Sequence, residues 1–248
     1  MKHTVTAFDA TGYAQEVIPS NMNGVSFSLC SLQAGCSISP ALEAEKLVVL
    51  LFDGHQGYIT APGTLYSITE PSAFAPDFLR TPYTVHAVEE IKFLMCILDM
   101  NEWDRKFYEG WHLHFPFFST YSNGVRYDQA GQSGRLSSWS LIQPFQIGHL
   151  SLSVIRGLGG GALKSSGNQL QSQWFYSANA SYHISIGGTE QATQSANDLA
   201  FVPAGASFHL EYPENSTGCV FCISVFVEAD IQKYYLAQIF NGRLTEAR

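Results

Sequence analysis

The sequence predicts an all-β fold in which two similar barrels stand in tandem, each followed by a short helix. Three observations carry this reading. Short apolar runs alternate with Gly, Pro, Asn and Ser clusters at about 8–12-residue spacing, the pattern of a sandwich or barrel. Strong helical periodicity appears at two places only, each just after a long apolar strand. The order strand cluster, loop, strand after a proline, long apolar strand and short helix occurs twice, which reads as an internal repeat.

The strands expected in the first half are Val25–Leu32, Lys46–Phe52, Gln56–Ile59, Tyr83–Val88 and Ile91–Asp99. Those of the second half are Ile147–Leu158, Trp174–Ser177, Tyr182–Ile186, Asp198–Val202, Phe208–Tyr212 and Cys219–Val227. A helix over Asn101–Trp111 follows the first set. A second helix, Ala229–Ile239, follows the other: Ile231, Tyr234, Tyr235, Gln238 and Ile239 recur on one helical face, Asp230 supplies an acidic first turn, and Asn241-Gly242 ends it. The domains expected are 1–112, a linker over 113–134, and 135–248. The linker is rich in Ser, Gly, Tyr and Asn and lacks a period.

Composition narrows the function. The 248 residues carry a net charge of −8, with 14% charged and 13% aromatic residues. The acidic balance argues against nucleic acid, which needs a basic footprint. Few charges and many aromatics argue against disorder. The longest apolar run, Leu47 to Phe52, falls far short of the roughly 20 residues that span a bilayer, so no membrane association is expected. The N-terminal MKHTVTAFDATGY has no apolar h-region, so a cytoplasmic chain with reduced thiols is expected. Cys219-x-x-Cys222 lies in an apolar run and reads as core cysteine on a buried strand rather than a redox or zinc pair. Gly157 to Ala162 contains G-x-G-x-x-A, but a turn-like segment follows instead of a helix, so it reads as a strand-to-loop bend at a barrel rim.

Two segments give the repeat a more particular character. Asp198 to His209 contains Pro203, Gly205 and Phe208, the spacing of G-x5-P-x-G-x2-H-x3-N with Phe208 in the histidine place and His209 one residue late. From Gly161, the spacing of G-x5-H-x-H-x3-4-E-x6-G puts Gly167 and Gln169 at the histidine positions, Gln173 at the glutamate position and Ala180 at the closing glycine. In the first half, the same count from Gly35 puts Ala41, Glu43 and Leu47 at those positions and ends in register on Gly54. Thr81-Pro82-Tyr83-Thr84-Val85-His86 then places His86 at the histidine of the second motif. These halves resemble a tandem cupin, or bicupin. The resemblance implies two jelly-roll barrels, the double-stranded β-helix of that superfamily. It also implies that a divalent metal (Fe, Mn, Zn or Ni) is held inside a barrel by histidines and a glutamate. Of the metal-ligand positions in both halves, only His86 keeps the family residue, and Glu43 is a substitute.

The candidate metal ligands are therefore Glu43 and His86 of the first barrel. Glu45, two residues from Glu43, could share its face and complete a two-carboxylate, one-histidine set. Two protein ligands are fewer than a catalytic zinc site uses, so no cofactor is the leading expectation and the N-terminal barrel metal the alternative. Gln169 and Gln173 are neutral amides and cannot neutralise a cation. His112 and His114 share a strand face and form a further, weaker chelating pair. No G-x-S-x-G nucleophile elbow is present. The expected pocket residues are Glu43, Tyr83, His86, Gln169, Gln173 and Phe208, suited to a small, partly apolar ligand. The function expected is small-molecule binding by a homodimer. The alternative is a metal-dependent isomerase, dioxygenase or hydrolase of a small sugar or acid, with its site in the first barrel.

Overall fold

Runs such as Lys46–Phe52 and Cys219–Phe226 become strands because their β-branched and aromatic side chains pack on both faces of a sheet. The computed structural model describes residues 7–78, 80–110, 113–189 and 191–226. The first half contains β1 (Tyr13–Ile18), β2 (Val25–Leu32), β3 (Ser37–Ile38), β4 (Lys46–Phe52), β5 (Gly57–Ala61), β6 (Thr64–Ile68), β7 (Ser72–Ala75), β8 (Thr84–Ala87) and β9 (Ile91–Asp99). Helix α1 (Glu102–Glu109) and β10 (Phe117–Thr120) follow. The second half contains β11 (Val125–Tyr127), β12 (Gln132–Ile142), β13 (Leu150–Ser165), β14 (Gln171–Ser177), β15 (Tyr182–Ile186), β16 (Ala192–Gln194), β17 (Leu199–Val202), β18 (Phe208–Tyr212) and β19 (Thr217–Phe226).

The first barrel is built from a six-stranded sheet, β1-β2-β9-β4-β7-β10, facing a four-stranded one, β3-β8-β5-β6. The second repeats the plan. Its β13-β19-β14-β17 matches β2-β9-β4-β7, and its β13-β18-β15-β16 matches β3-β8-β5-β6. The difference is β13, which does in one strand what β2 and β3 do in two. Its first part pairs with β19 as far as Leu158↔Thr217, and its last part pairs with β18 from Gly161↔Tyr212. Between those ends lie Gly159 and Gly160, both at positive φ, as Gly161 is too. The glycine run is thus the corner where one strand passes from one sheet to the other, because only glycine bends so sharply there without strain. Gly157 to Ala162 accordingly lies inside a strand rather than in a loop.

Asn101 sets the start of α1. Its side chain accepts from the Asp104 N–H at 2.8 Å, and the Asp104 carboxylate accepts from the Asn101 N–H at 3.1 Å, a reciprocal cap. The helix expected over Ala229–Ile239 lies outside the described residues, as do Trp111 and His112. The segment expected as a linker contributes strands to both halves: β10 pairs with β7, and β11 with β12. No helix among the described residues is long and apolar enough to cross a membrane.

Three apolar clusters hold the structure together. One fills the first barrel, around Phe52, Phe74, Tyr83 and Phe93. One fills the second, around Phe175, Tyr182, Phe208 and Tyr212. The third lies between the barrels, where Phe27, Leu51 and Leu94 of one large sheet meet Leu152, Trp174 and Ile223 of the other. Alternation explains the division: on β19, Phe221, Ile223 and Val225 face the partner barrel, while Val220 and Cys222 face their own interior.

Candidate functional site

The site is the polar end of the second barrel. Cross-strand register arranges its walls in rows. Ser151 lies opposite Ser224, which lies opposite Gln173. One step deeper, Ser140 lies opposite Ser153, Ser153 opposite Cys222, and Cys222 opposite Phe175. The next row brings Ile155 opposite Val220, both fully buried. The interior therefore grades from hydroxyls and an amide to hydrocarbon within three rungs. Side chains two residues apart on a strand share a face, so the whole gradient points inward.

The serines of the first two rows, with Gln173 and Cys222, line a cavity of about 340 Å³, which Tyr127, Gln129 and Gln171 complete on the polar side and Phe226 on the apolar side. Gln173 is 8% exposed and donates to Ser224 Oγ at 3.2 Å and to Cys222 Sγ at 3.4 Å. Both partners can donate as well as accept, so the amide can turn either its oxygen or its NH2 to a ligand. Burial pushes the Tyr127 hydroxyl above the ordinary tyrosine range, an effect partly offset by the Ser153 and Ser138 hydroxyls. Burial likewise pushes the Cys222 thiol up to about 11, so it is a neutral thiol and not a nucleophile at neutral pH. Among the described lining residues there is no Asp, Glu, Lys, Arg or His. The arrangement can hydrogen-bond an uncharged molecule, and its described lining holds no general base and no cation.

The first barrel is more apolar at these levels, with Ser28 the one serine on the matching rungs. At the matching rungs Phe93 faces Cys30 and Phe52, and Met95 faces Ser28 and Leu50. Tyr83 is buried there in ring contact with Phe74, 5.3 Å between centroids. The expectation that His86 points into this barrel is corrected. On β8, Val85 and Ala87 are the inward residues, and His86 faces the other way. Its ring stacks on Tyr58 at 4.5 Å, and its Nε2 lies 3.0 Å from Thr60 Oγ1. Glu43 is exposed in the loop before β4, and Glu45, also exposed, pairs with Arg105 at 3.3 Å. A metal held by Glu43, Glu45 and His86 does not fit these positions. Among the described residues, no three or more His, Cys, Asp or Glu side chains gather in a way that could hold a metal ion.

In the second barrel Phe208 points inward, 5.0 Å from the Phe175 ring, while His209 takes the opposite face of β18. Phe208 lies in the apolar core rather than along the polar cavity. Gln169 is exposed and packs beside Gly205 of the Pro203–Gly205 turn, outside the cavity. Of the six expected pocket residues, the cavity includes Gln173. Cys219 and Cys222 are both buried free thiols on opposite faces of β19, so they cannot chelate together. His114 is exposed. The cavity serines are not among the expected pocket residues, although Ser151-Leu152-Ser153 and Ser138-Trp139-Ser140 show the period-2 alternation that places them on one face.

The arrangement of strands has clear counterparts. The chain is similar to a putative glyoxylate-induced protein from Pseudomonas aeruginosa, with TM-score 0.68 and 13% identity over 90% of this chain and 83% of that one. It is similar to an oxalate decarboxylase from Lactobacillus farciminis, solved as a formate complex, with TM-score 0.66 and 8% identity over 94% and 88%. A cupin 2 conserved barrel domain protein from Leptotrichia buccalis gives TM-score 0.56 and 14% identity over 90% and 92%. No family model and no curated protein matches the sequence. The chain has the cupin fold.

Proposed function

We propose that this cupin-fold chain is a binding protein for a small, uncharged, hydroxyl-rich organic molecule, such as a polyol or a sugar, held in the second barrel. One observation carries the reading: the described lining of that cavity supplies serine hydroxyls and glutamine amides over an apolar floor, and no ionised side chain. Walls of hydrocarbon with a few placed polar groups are the ordinary composition of a ligand pocket. A neutral polyol can exchange hydrogen bonds with Ser151, Ser224 and Gln173 while its carbon face lies on Phe226.

Oxalate and glyoxylate, which figure in the names of the similar proteins, are carboxylates. A buried carboxylate needs a cation or several charge-assisted donors. The described cavity lining offers no Arg, Lys or His, so an acid of that kind is the less favoured ligand. Metal-dependent catalysis in the first barrel finds no support in the placement of Glu43 and His86.

A thermal-shift screen of the whole chain tests the proposal. Monosaccharides and linear polyols are expected to raise the melting temperature, because a ligand that binds only the folded state stabilises it. Gln173→Leu is expected to abolish that rise. A rise produced only by dicarboxylates, or an undiminished rise in Gln173→Leu, would overturn it.

A further inference from the structure

A second cleft, of about 440 Å³, opens where the two barrels meet, and its walls carry opposite charge. Arg156 and Leu158 of β13 share the face of Val154, which belongs to the interbarrel cluster, so they point toward the first barrel and away from the serine rows. The other wall holds Asp53, just after β4, and Glu70, just before β7. Gly54 packs closely on the Glu70 backbone: a Cβ there would lie 2.9 Å from Glu70 Cα. That contact brings the two carboxylate-bearing turns together.

One short segment holds a charge of each sign. The 3₁₀ turn Tyr121–Asn123 is anchored to the first barrel by the Tyr121 N–H, which donates to the Pro71 carbonyl at 2.8 Å. The Ser122 N–H donates to Glu70 Oε2 at 3.1 Å, and the Ser122 hydroxyl donates to Glu70 Oε1. The Arg156 guanidinium lies over the Tyr121 ring, 5.6 Å from its centroid. Among the described residues Arg156 forms no ion pair, and no Lys or Arg pairs with Asp53 or Glu70. Asp53 meets His55 Nε2 at 3.2 Å, and its side chain is 12% exposed. Beside Arg156, Asn179 Oδ1 accepts from the Cys219 N–H at 2.8 Å, which leaves the NH2 of this exposed amide to donate into the cleft. One wall thus presents donors and a cation, the other presents acceptors and negative charge, and no ion pair closes the gap between them.

We propose that this cleft binds a small zwitterion, an α-amino acid with an apolar side chain. Its carboxylate accepts from the Arg156 guanidinium and the Asn179 NH2, and its ammonium donates to Asp53 and Glu70. Its side chain lies on Pro71 and on Leu158, which is 48% exposed. A zwitterion gives both walls charge-assisted hydrogen bonds at once, whereas a plain anion or cation meets like charge on one side.

L-Leucine is the probe, titrated calorimetrically into the whole chain. N-acetyl-L-leucine keeps the carboxylate without the ammonium, and L-leucinamide keeps the ammonium without the carboxylate. Each is expected to bind about tenfold more weakly than leucine, because each forfeits one set of charge-assisted hydrogen bonds. Arg156→Gln, on an exposed side chain, and the double substitution Asp53→Asn with Glu70→Gln are expected to weaken leucine binding by a similar factor. No binding at millimolar leucine would overturn the proposal, as would either derivative binding as tightly as leucine. Wild-type affinity in either folded variant would overturn it too.

Discussion

Phe27 and Trp174 join the two barrels: their rings meet at 5.3 Å between centroids, tilted by 53°, and both are essentially sealed from solvent. Trp174 also touches Phe201, at 4.9 Å. The contact lies in the cluster shared by the two large sheets, so each large sheet's outer face is covered only by the other barrel.

Trp174→Ala should therefore cost about 3–5 kcal/mol. Urea denaturation followed by far-UV circular dichroism measures this. Wild-type barrels should unfold in a single transition, since they share one apolar cluster. Two separated transitions would contradict the shared core.

The cysteines should differ sharply in reactivity. Burial pushes Cys30 up to about 12 and both Cys219 and Cys222 up to about 11, whereas Cys36 is only half-buried. Iodoacetamide at mildly alkaline pH should modify Cys36 first, as read by peptide mass spectrometry. The raised thiols also set an alkaline limit. Their contribution is fully present below the unfolded thiol value of about 8.5 and is lost as pH rises toward 11–12. Stability should fall through that window.

Gly157→Ala should destabilise by about 3 kcal/mol or more, as overpacking at a rigid site does. An added Cβ would lie 2.2 Å from the Tyr212 ring. That ring cannot retreat, being fully buried with its hydroxyl donating to the Ile155 carbonyl at 3.1 Å. The midpoint of chemical denaturation is the measurement.

Asp104→Ala should cost about 3 kcal/mol, because it strips a buried imidazole and the Asn101 N–H of their acceptor at once. The loss should show as an earlier denaturation midpoint and reduced protection of the α1 amides in hydrogen exchange.

His86→Ala should cost only about 1 kcal/mol, for one hydrogen bond and one ring stack on the outer face. Divalent-metal content should be the same in the variant and the wild type. A stoichiometric metal lost on this substitution would refute the outward placement.

Much of the scaffold can be read from local pattern. The expected strands Val25–Leu32, Lys46–Phe52, Ile91–Asp99, Tyr182–Ile186 and Phe208–Tyr212 coincide with β2, β4, β9, β15 and β18. Each is a dense apolar or alternating run. β7, with the small residues Ser72-Ala73-Phe74-Ala75, and the serine-rich β12 were not expected, because serine and alanine give weak strand signals. The site was harder still. Gln173 stood out through motif spacing, but its neighbours Ser151 and Ser224 come from strands far apart in sequence.

The sequence by itself determined the duplication, the strand order and the apolar character of the two interiors, since these follow from period and composition repeated along the chain. Tertiary structure alone decided which face each residue takes. A strand reverses its side chains with every residue, so a shift of one turned His86 outward. It also decided that Ser151, Ser224 and Gln173 form one row, because pairing register, and not local preference, sets which residues meet across strands.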